Sequence, residues 1–391
     1  MPGLEVRGLV KRLGDHQAVD DLSFSVRDGE FLVLLGPSGC GKTTALRIIC
    51  GLEQPDAGEV IIADRPVTSL PARDRNLGMV FQEYGLYPSM DVFGNLAYGL
   101  QARGNVAREE IDRRVRAAAG KLDLTDLLKA PITDLSGGEQ QRVALGRALV
   151  KDADAYLFDE PLSNLDPKLR HRVRRDITAL HREKGKPTVY VTHDQTEAFS
   201  MGDVVAVMAN GRVQQVGPPD ELVERPANTF VAGFVGSPPM NLLRARLRAV
   251  DGAYAAVVGE AVLPLPEAWT PALAGYDKEE VTLGVRPDAV TLAGPGGADT
   301  LAAEVIDIEP LIGEAVVRLR LKAQDAVVSA ERAPVELGSA GPEAAGPAEG
   351  LAAVFRSGEE GGLAPGDVVR LGARPDGLRV FDRDSGQALL P

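Results

Sequence analysis

The stretch FLVLLGPSGCGKTT, residues 31–44, decides the fold. Its first five residues are all apolar, which is typical of a central strand buried on both faces of a parallel sheet. Three glycines follow, and from Thr43 to residue 50 the apolar side chains recur at the spacing of a helix. The stretch therefore predicts a strand, a glycine-rich turn and a helix.

The glycine-rich turn matches the pattern G-x-x-x-x-G-K-[ST] in the strand-to-helix context that the pattern requires. Backbone without Cβ crowding lets several N–H donors converge on phosphate oxygens, and the helix N-terminus favours negative charge. We predict that Lys42 reaches the β- and γ-phosphates of a nucleotide and that Thr43 is a Mg²⁺ ligand. A glycine-rich turn with an accidental lysine is the alternative. The predicted nucleotide-binding residues of this loop are Gly36, Pro37, Ser38, Gly39, Cys40, Gly41, Lys42, Thr43 and Thr44.

Two adjacent carboxylates, Asp159 and Glu160, follow a second apolar segment, residues 155–158. Adjacent residues of an extended strand point to opposite sides, so the two acids can take different roles. We predict that Asp159 holds Mg²⁺, directly or through water, and that Glu160 orients and deprotonates the attacking water. By itself such a pair is more often a helix cap or a surface turn. Behind a phosphate-binding loop, the catalytic interpretation is favoured.

Length, charge and hydropathy exclude several classes of protein. The 391 residues exceed the size at which single cores stop growing, so two or three domains are expected. A net charge of −13 provides no overall field that would hold DNA, and no nucleic-acid partner is expected. The apolar runs are shorter than the ~18 residues that cross a bilayer, and the charged N-terminal segment has no apolar signal-peptide core. We therefore expect a cytoplasmic protein.

The cysteine and histidine content predicts neither disulfides nor a structural metal. Cys40 and Cys50 provide no disulfide framework, and the four histidines lack the spacing of a metal site. Cys40 lies near the predicted helix N-terminus, where thiolate character is favoured. We expect alkylation of Cys40 to block turnover.

The pattern of residue types and predicted elements changes along the chain. Up to about residue 235, apolar strands alternate with helices, which predicts a parallel α/β sheet. After residue 236, short strands separated by Gly, Pro and Asp predict a small β-barrel or sandwich. The expected domains are therefore residues 1–235 and 236–391. Residues 323–362, rich in Ala, Gly, Glu and Pro, are predicted to form a long loop or insertion in the second domain.

The segment LSGGEQQR, residues 135–142, completes a set of motifs. In isolation it predicts only a helix capped by its serine. With the phosphate-binding loop and the carboxylate pair in this order, the chain resembles an ATP-binding cassette (ABC) transporter ATPase. The resemblance implies a P-loop α/β cassette with a mixed sheet and a helical subdomain at about 88–150. The signature residues implied to bind nucleotide are Ser136, Gly137, Gly138 and Glu139.

The resemblance also implies how the site is assembled. The expected form is a head-to-tail homodimer that hydrolyses ATP with Mg²⁺. In it, Ser136 and Gly138 of one protomer contact the γ-phosphate that Lys42 of the other protomer holds. One chain would then carry two half-sites and no complete one.

Further residues take roles from the same resemblance. Gln82 is implied to contact Mg²⁺ and the attacking water, and His193 to contact the γ-phosphate; with Glu160 they form the expected catalytic set. Asp166, in the loop 163–166, is implied to lie at the dimer interface. Leu13 stands where the family usually has an aromatic residue that stacks on adenine, so weaker or less selective base recognition is expected. Glu139 stands where glutamine is common, and its charge is unfavourable beside phosphate.

The C-terminal segments 233–241, 283–288, 366–371 and 380–382 resemble the regulatory domain of sugar-importer ATPases of the maltose and glycerol-phosphate type, an OB-like β-barrel. This implies an importer subunit on the inner face of the membrane, with two transmembrane permease subunits and an extracytoplasmic solute-binding protein. A sugar or sugar derivative is the favoured cargo. Related domains in polyamine, iron and sulfate importers leave other solutes open. A soluble cassette protein or a ligand-sensing regulator is the alternative outside transport.

Overall fold

The computed structural model describes residues 2–102, 104, 106–163, 165–293, 300–322, 351–356, 359 and 362–390. The chain divides into two compact units, Met1–Pro219 and Asp220–Pro391. Each unit has its own sheets and its own apolar core.

The first unit combines two sheets with six helices among its described residues. Its strands are β1 (Pro2–Leu13), β2 (His16–Arg27), β3 (Phe31–Leu35), β4 (Ala57–Ile62), β5 (Arg65–Pro66), β6 (Leu77–Val80), β7 (Ala155–Asp159), β8 (Thr188–Thr192), β9 (Val204–Ala209) and β10 (Arg212–Gly217). Its helices are α1 (Lys42–Cys50), α2 (Val92–Gln101), α3 (Arg108–Lys121), α4 (Gly137–Leu149), α5 (Pro167–Lys184) and α6 (Gln195–Met201).

The larger sheet places the predicted site residues at one edge. Its strand order is β10-β9-β3-β8-β7-β6, and the pairs from β9 to β6 are all parallel. Every residue of β3, β7 and β8 is buried, as the apolar runs predict. Leu35 is paired with Thr192, and Asp159 with Val191, so these strands end almost level. The loops that follow them therefore leave the sheet side by side.

The smaller sheet, in the order β2-β1-β4-β5, is antiparallel. The β9–β10 hairpin of the larger sheet connects this smaller sheet to the phosphate-binding loop. Its turn residues Asn210 and Gly211 both have positive φ, as the Asn-Gly pair predicts. Gly211 accepts a hydrogen bond from the Asp20 amide and donates one to the Cys40 carbonyl, each at 3.0 Å. The hairpin turn thus ties β2 to the loop between β3 and α1.

Helices α2, α3 and α4 pack on one another in the region where the sequence predicts a helical subdomain. The close approach of α2 and α4 needs a glycine. A Cβ at Gly146 would lie 2.5 Å from Leu96 Cδ2 and 3.2 Å from Leu122 Cδ1. Packing against the rest of this cluster holds α4, which begins directly after Ser136.

The second unit consists mainly of two five-stranded antiparallel sheets. One has the order β13-β12-β11-β14-β20 and the other β15-β19-β16-β17-β18. A single apolar cluster draws on both sheets, which confirms an all-β second domain. The strands are β11 (Asn241–Val250), β12 (Ala253–Val258), β13 (Ala261–Pro264), β14 (Glu280–Val285), β15 (Val290–Ala293), β16 (Leu301–Leu311), β17 (Glu314–Leu321), β18 (Leu351–Arg356), β19 (Val368–Ala373) and β20 (Leu378–Asp382), and the helices are α7 (Pro219–Glu224), α8 (Thr229–Phe234) and α9 (Thr270–Leu273).

Two features of this unit bear on the sequence expectation. The compact units divide between Pro219 and Asp220, whereas the boundary expected from sequence is at residue 236; residues 220–235 group with the second unit, in which Ala232 of α8 packs in an apolar cluster with Leu242 and Phe381. Within the expected loop 323–362, β18 is a strand that pairs with β17, and its alternate residues face the core. Residues 323–350 lie outside the described part of the chain.

Arg75 is fully buried between β6 and the C-terminal end of α1. Its guanidinium donates to the carbonyls of Ile48 and Ile49 at 2.7 and 2.9 Å, and to those of Thr68 and Leu70 at 2.7 and 2.8 Å. The last carbonyls of a helix carry partial negative charge, which suits a cation. Arg75 therefore holds the end of α1 against the strand that leads to Gln82.

Replacing Arg75 with alanine should lower the free energy of unfolding by about 3 kcal/mol, because several buried carbonyls lose their donor together. Urea unfolding followed by far-UV circular dichroism measures this change. Arg73→Ala, at an exposed position in the same turn, is the matched control and should stay within about 0.5 kcal/mol of the parent. Equal stabilities for the two variants would contradict the structural role given to Arg75.

Candidate active site

The phosphate-binding loop is shaped by glycines at its two ends. A Cβ at Gly36 would lie 2.4 Å from the Met208 carbonyl oxygen. Gly41 has a φ of 104° and caps α1, and a Cβ there would lie 2.2 Å from the Ala18 carbonyl oxygen. Neither position accepts a larger residue without movement of the backbone. The loop is thus pressed between the turn after β9 and the start of β2.

Lys42 is buried, and its ammonium lies inside the loop. Its Nζ donates to the carbonyl oxygens of Gly36 and Pro37, each at 2.8 Å, and lies 3.7 Å from Cys40 Sγ. These partners are neutral, so they do not cancel the charge of the lysine. A phosphate at the loop would meet a positive group that is already in place.

Thr43 and Asp159 join the phosphate-binding loop to β7. The Thr43 hydroxyl donates to Asp159 Oδ1 at 3.0 Å. Burial raises the pKa of Asp159, with the Thr43 hydrogen bond acting against that rise. Two oxygen donors side by side, one of them a carboxylate in a poorly hydrated place, fit the oxygen ligands that Mg²⁺ prefers. The residues present therefore fit the ion that the sequence predicts.

Glu160 turns away from Asp159 and contacts β8. Its φ of 42° lies in the left-handed region, so the chain leaves the strand at this residue. The carboxylate Oε2 lies 3.2 Å from His193 Nδ1. Asp159 and Glu160 thus have different partners. Side-chain alternation along the strand and the backbone turn at Glu160 both contribute to this difference.

The Glu160–His193 pair is electrostatically coupled. The hydrogen bond from His193 lowers the pKa of Glu160, and the same bond raises the pKa of His193. A carboxylate of lowered pKa is ionised at neutral pH, as a base must be. It stands next to an imidazole whose charge changes within the physiological range.

A buried network behind His193 is not apparent from sequence. Glu197, on α6, is almost fully buried and accepts hydrogen bonds from Tyr190 Oη and Thr192 Oγ1, each at 2.8 Å. Thr192 Oγ1 accepts in turn from the Asp194 amide at 3.0 Å. The network fixes the turn that carries His193. The Asp194-to-Glu197 spacing is typical of a helix start, but nothing in that pattern shows that Glu197 points inward.

Gln82 and Leu13 lie on loops beside this edge of the sheet. Gln82 is exposed, two residues after β6 ends. Leu13 is 48% exposed at the end of β1, just before the turn into β2, where Ala18 touches the phosphate-binding loop. The structure therefore places Gln82 after a strand of the same parallel sheet and leaves Leu13 an apolar face open to solvent.

Ser136 and Glu139 form a hydrogen-bonded unit at the start of α4. Ser136 is the N-cap, and Glu139 completes a capping box with it. Gly138 lies so close to α5 that a Cβ there would be 2.1 Å from Leu169 Cδ2. Asp166 caps α5 through the amides of residues 168 and 169. Asn164, in the same predicted interface loop, lies outside the described residues.

The expectation of a thiolate at Cys40 is wrong. The side chain is 4% exposed, and this burial raises the pKa of the thiol despite the nearby Lys42 ammonium. Closeness to a helix N-terminus lowers a thiol pKa only where desolvation does not outweigh it.

Comparison with known proteins decides the family. Residues 19–163 match the family described as ABC transporter, and residues 236–290 match the MalK OB fold domain. The chain is 48% identical, over 334 residues, to the trehalose/maltose import ATP-binding protein MalK of Thermococcus litoralis, with 82% of this chain and 89% of that protein covered. The chain belongs to the ABC transporter ATPase family. Its cassette fold and its OB-type second domain, both expected from sequence, are confirmed.

Other relatives agree with this assignment. The sn-glycerol-3-phosphate import ATP-binding protein UgpC of Cupriavidus pinatubonensis is 40% identical over 390 residues, with 100% of both chains covered. A dimeric post-hydrolysis state of an ATP-binding cassette bound to ADP and phosphate has a TM-score of 0.51 and 30% identity, covering 55% of this chain and 98% of that one. This ABC protein is accordingly an ATPase. Among the helices described here, none is both long and apolar enough to cross a bilayer.

The coupling of Glu160 to His193 predicts a distinctive histidine titration. By NMR, the pKa of His193 should lie above the free value of ~6.5 and that of buried His181 below it. The raised pKa of His193 should contribute its full stabilisation of the fold at pH values below the pKa of this histidine in the unfolded chain. The contribution should be lost as pH rises through the folded-state pKa of His193. In a Glu160→Gln variant the His193 pKa should fall while that of His181 stays. An unshifted His193 in that variant would argue against the pair.

Proposed function

We propose that this ABC ATPase energises an importer for a sugar or sugar derivative. The observation that carries the proposal is similarity along nearly the whole chain, including the second unit, to ATP-binding proteins of such importers. Those named above serve trehalose or maltose and sn-glycerol-3-phosphate, and a third, from Streptomyces coelicolor, serves diacetylchitobiose uptake with 49% identity over 293 residues, 74% of this chain and 76% of that one.

In the proposed reaction, the phosphate-binding loop holds ATP and this chain's side chains act on water and phosphate. Lys42 binds the β- and γ-phosphates. Thr43 and Asp159 would hold Mg²⁺, whose charge would offset that of the phosphates. Glu160 takes the proton of the attacking water. His193, fixed by the network around Glu197, contacts the γ-phosphate, and Gln82 orients the water from its exposed loop. The hydrogen bonds between Thr43 and Asp159 and between Glu160 and His193 support this division of roles.

We further propose that two copies assemble head to tail. The Ser136 end of α4 is exposed, and it presents a hydroxyl and helix N-terminal amides of the kind that bind phosphate. A related cassette forms a dimer in its ADP and phosphate state. In the dimer, each protomer supplies Ser136 and Gly138 to the nucleotide that its partner's loop holds.

The assembly would lie on the inner face of the membrane, on two transmembrane permease subunits that receive solute from an extracytoplasmic binding protein. The segment after Gln82 suits such a contact. The rings of Tyr87 and Tyr98 are tilted by 45° with their centroids 4.4 Å apart. Arg147 lies 4.9 Å over the Tyr87 ring and donates to the Gly85 carbonyl. Partly exposed aromatic and arginine side chains held in this way are typical of interface anchors.

The role of Glu160 as a base predicts that a variant without its carboxylate binds ATP but does not hydrolyse it at an appreciable rate. Glu160→Gln should reduce steady-state hydrolysis by about 10²–10⁴-fold, the usual contribution of a general base, and should form a dimer with ATP. Phosphate release and light scattering measure the two effects. Glu59→Gln, on an exposed part of β4, is the control and should retain parental hydrolysis. Undiminished hydrolysis by the Glu160 variant would overturn its role.

Lys42→Ala should instead weaken nucleotide binding itself, because a buried ammonium leaves the loop. Calorimetric titration with ATP should show at least a tenfold higher Kd, which corresponds to about 1.4 kcal/mol of lost binding free energy. An unchanged Kd would contradict the function given to the loop.

The transport proposal is tested by isolation from membranes. Affinity purification of the tagged chain should yield two multi-spanning proteins in equal amounts, and deletion of its gene should abolish uptake of a sugar while uptake of polyamine and sulfate continues. Loss of polyamine, iron or sulfate uptake in its place would reassign the cargo. A preparation without membrane proteins would favour a soluble cassette protein or regulator.

A further inference from the structure

Glu139 occupies the donors of Ser136 in this structure. One carboxylate oxygen, Oε2, accepts the Ser136 hydroxyl at 2.6 Å and the Ser136 backbone amide at 2.8 Å. In return, the Glu139 amide is 3.4 Å from Ser136 Oγ. A single negatively charged oxygen thus holds both groups with which Ser136 could bind an anion.

The location strengthens this contact. Glu139 is in the first turn of α4, where the helix dipole favours negative charge. The hydrogen bond from Ser136 also lowers the pKa of Glu139, so the carboxylate is ionised at neutral pH. Hydrogen bonds to an ionised acceptor are about twice as strong as those between neutral groups.

We propose that Glu139 is an intramolecular competitor of the nucleotide: its carboxylate holds the Ser136 hydroxyl that must turn to the partner-bound γ-phosphate when two copies close. This inference rests on the head-to-tail dimer proposed above. Glu139 is then a positioning residue that acts through Ser136, and it raises the ATP concentration at which the dimer forms.

The geometry allows the exchange without loss of the helix. Rotation about the Ser136 Cα–Cβ bond moves the hydroxyl alone, and the backbone amide of Ser136 can stay on Glu139. The half of the capping box made by the Ser136 backbone amide therefore persists in both arrangements. What changes is the strong hydrogen bond of the hydroxyl to Glu139, its 3.4 Å contact with the Glu139 amide, and the repulsion between the carboxylate and an incoming phosphate.

Replacing Glu139 with glutamine removes the negative charge and keeps a hydrogen-bond acceptor, so it tests the effect of the charge alone. A capping box accepts Glu or Gln, so Glu139→Gln keeps an acceptor for Ser136 and preserves α4. Its neutral amide binds the hydroxyl less strongly and does not repel phosphate. Glu109→Gln is the matched control, because Glu109 is an exposed carboxylate in the first turn of α3.

The experiment measures ATP-dependent dimerisation by light scattering in the Glu160→Gln background, where hydrolysis does not remove the ligand. Adding Glu139→Gln should lower the ATP concentration for half-maximal dimer by about fivefold, the equivalent of roughly 1 kcal/mol between charged and neutral hydrogen bonds. Adding Glu109→Gln should leave it unchanged. Far-UV circular dichroism checks that the total helical content of the chain is retained.

A double-mutant cycle separates competition at Ser136 from a general charge effect. In a Ser136→Ala background, which has no hydroxyl to release, the effect of Glu139→Gln should shrink to less than about twofold. A full fivefold effect there would overturn the inference, as would an unchanged or higher half-maximal concentration in the parent background. If Glu160→Gln stays monomeric at saturating ATP, the proposed dimer fails, and the competition fails with it.

Discussion

Parallel pairing of β3, β8 and β7 is the constraint on which the site depends. Because these strands run in one direction and end almost level, their loops open at the same edge. That alignment brings Thr43 within 3.0 Å of Asp159 and Glu160 within 3.2 Å of His193, although these residues are far apart in sequence. Ligands of α/β sheets bind at the carboxyl ends of strands for the same reason, since only there do several loops and a helix N-terminus converge.

Buried polar groups hold this arrangement in place. Lys42, Arg75 and Glu197 are nearly or fully removed from solvent, and each has hydrogen-bond partners at 2.7 to 2.9 Å. Leaving the charge at any of these positions without a partner would cost folding free energy, so each charged group and its hydrogen-bond partners hold one another in position. Arg75 holds the C-terminal end of α1 through its carbonyl groups, and Glu197 holds the turn that carries His193 through Thr192. The residues at the carboxyl edge of the sheet that lie within one chain are thus held in place by buried hydrogen bonds. The exposed residues Gln82 and Ser136 are those proposed to meet water or a second copy.

Much of this was predictable because local signals were strong. Buried strands gave continuous apolar runs, Asn210-Gly211 marked a hairpin, and the change of texture after residue 236 marked an all-β unit. Residues 220–235 group with the second unit, where α8 packs against Leu242 and Phe381, a contact that helical spacing does not reveal. Likewise β18 lies within a segment whose composition favours a loop, and only pairing with β17 makes it a strand. Composition describes local preference, whereas pairing and packing depend on residues distant in the chain.

By itself, the sequence determined the family, the strand-turn-helix that would receive a phosphate, and which residue types were available for catalysis, because these depend on short motifs with fixed spacing. The tertiary structure alone decided which of them meet. It paired Glu160 with His193, turned Glu197 inward, made Cys40 a buried thiol instead of a thiolate, and set Glu139 on Ser136. Each outcome follows from burial or from a three-dimensional contact, and a linear pattern of residues contains neither quantity.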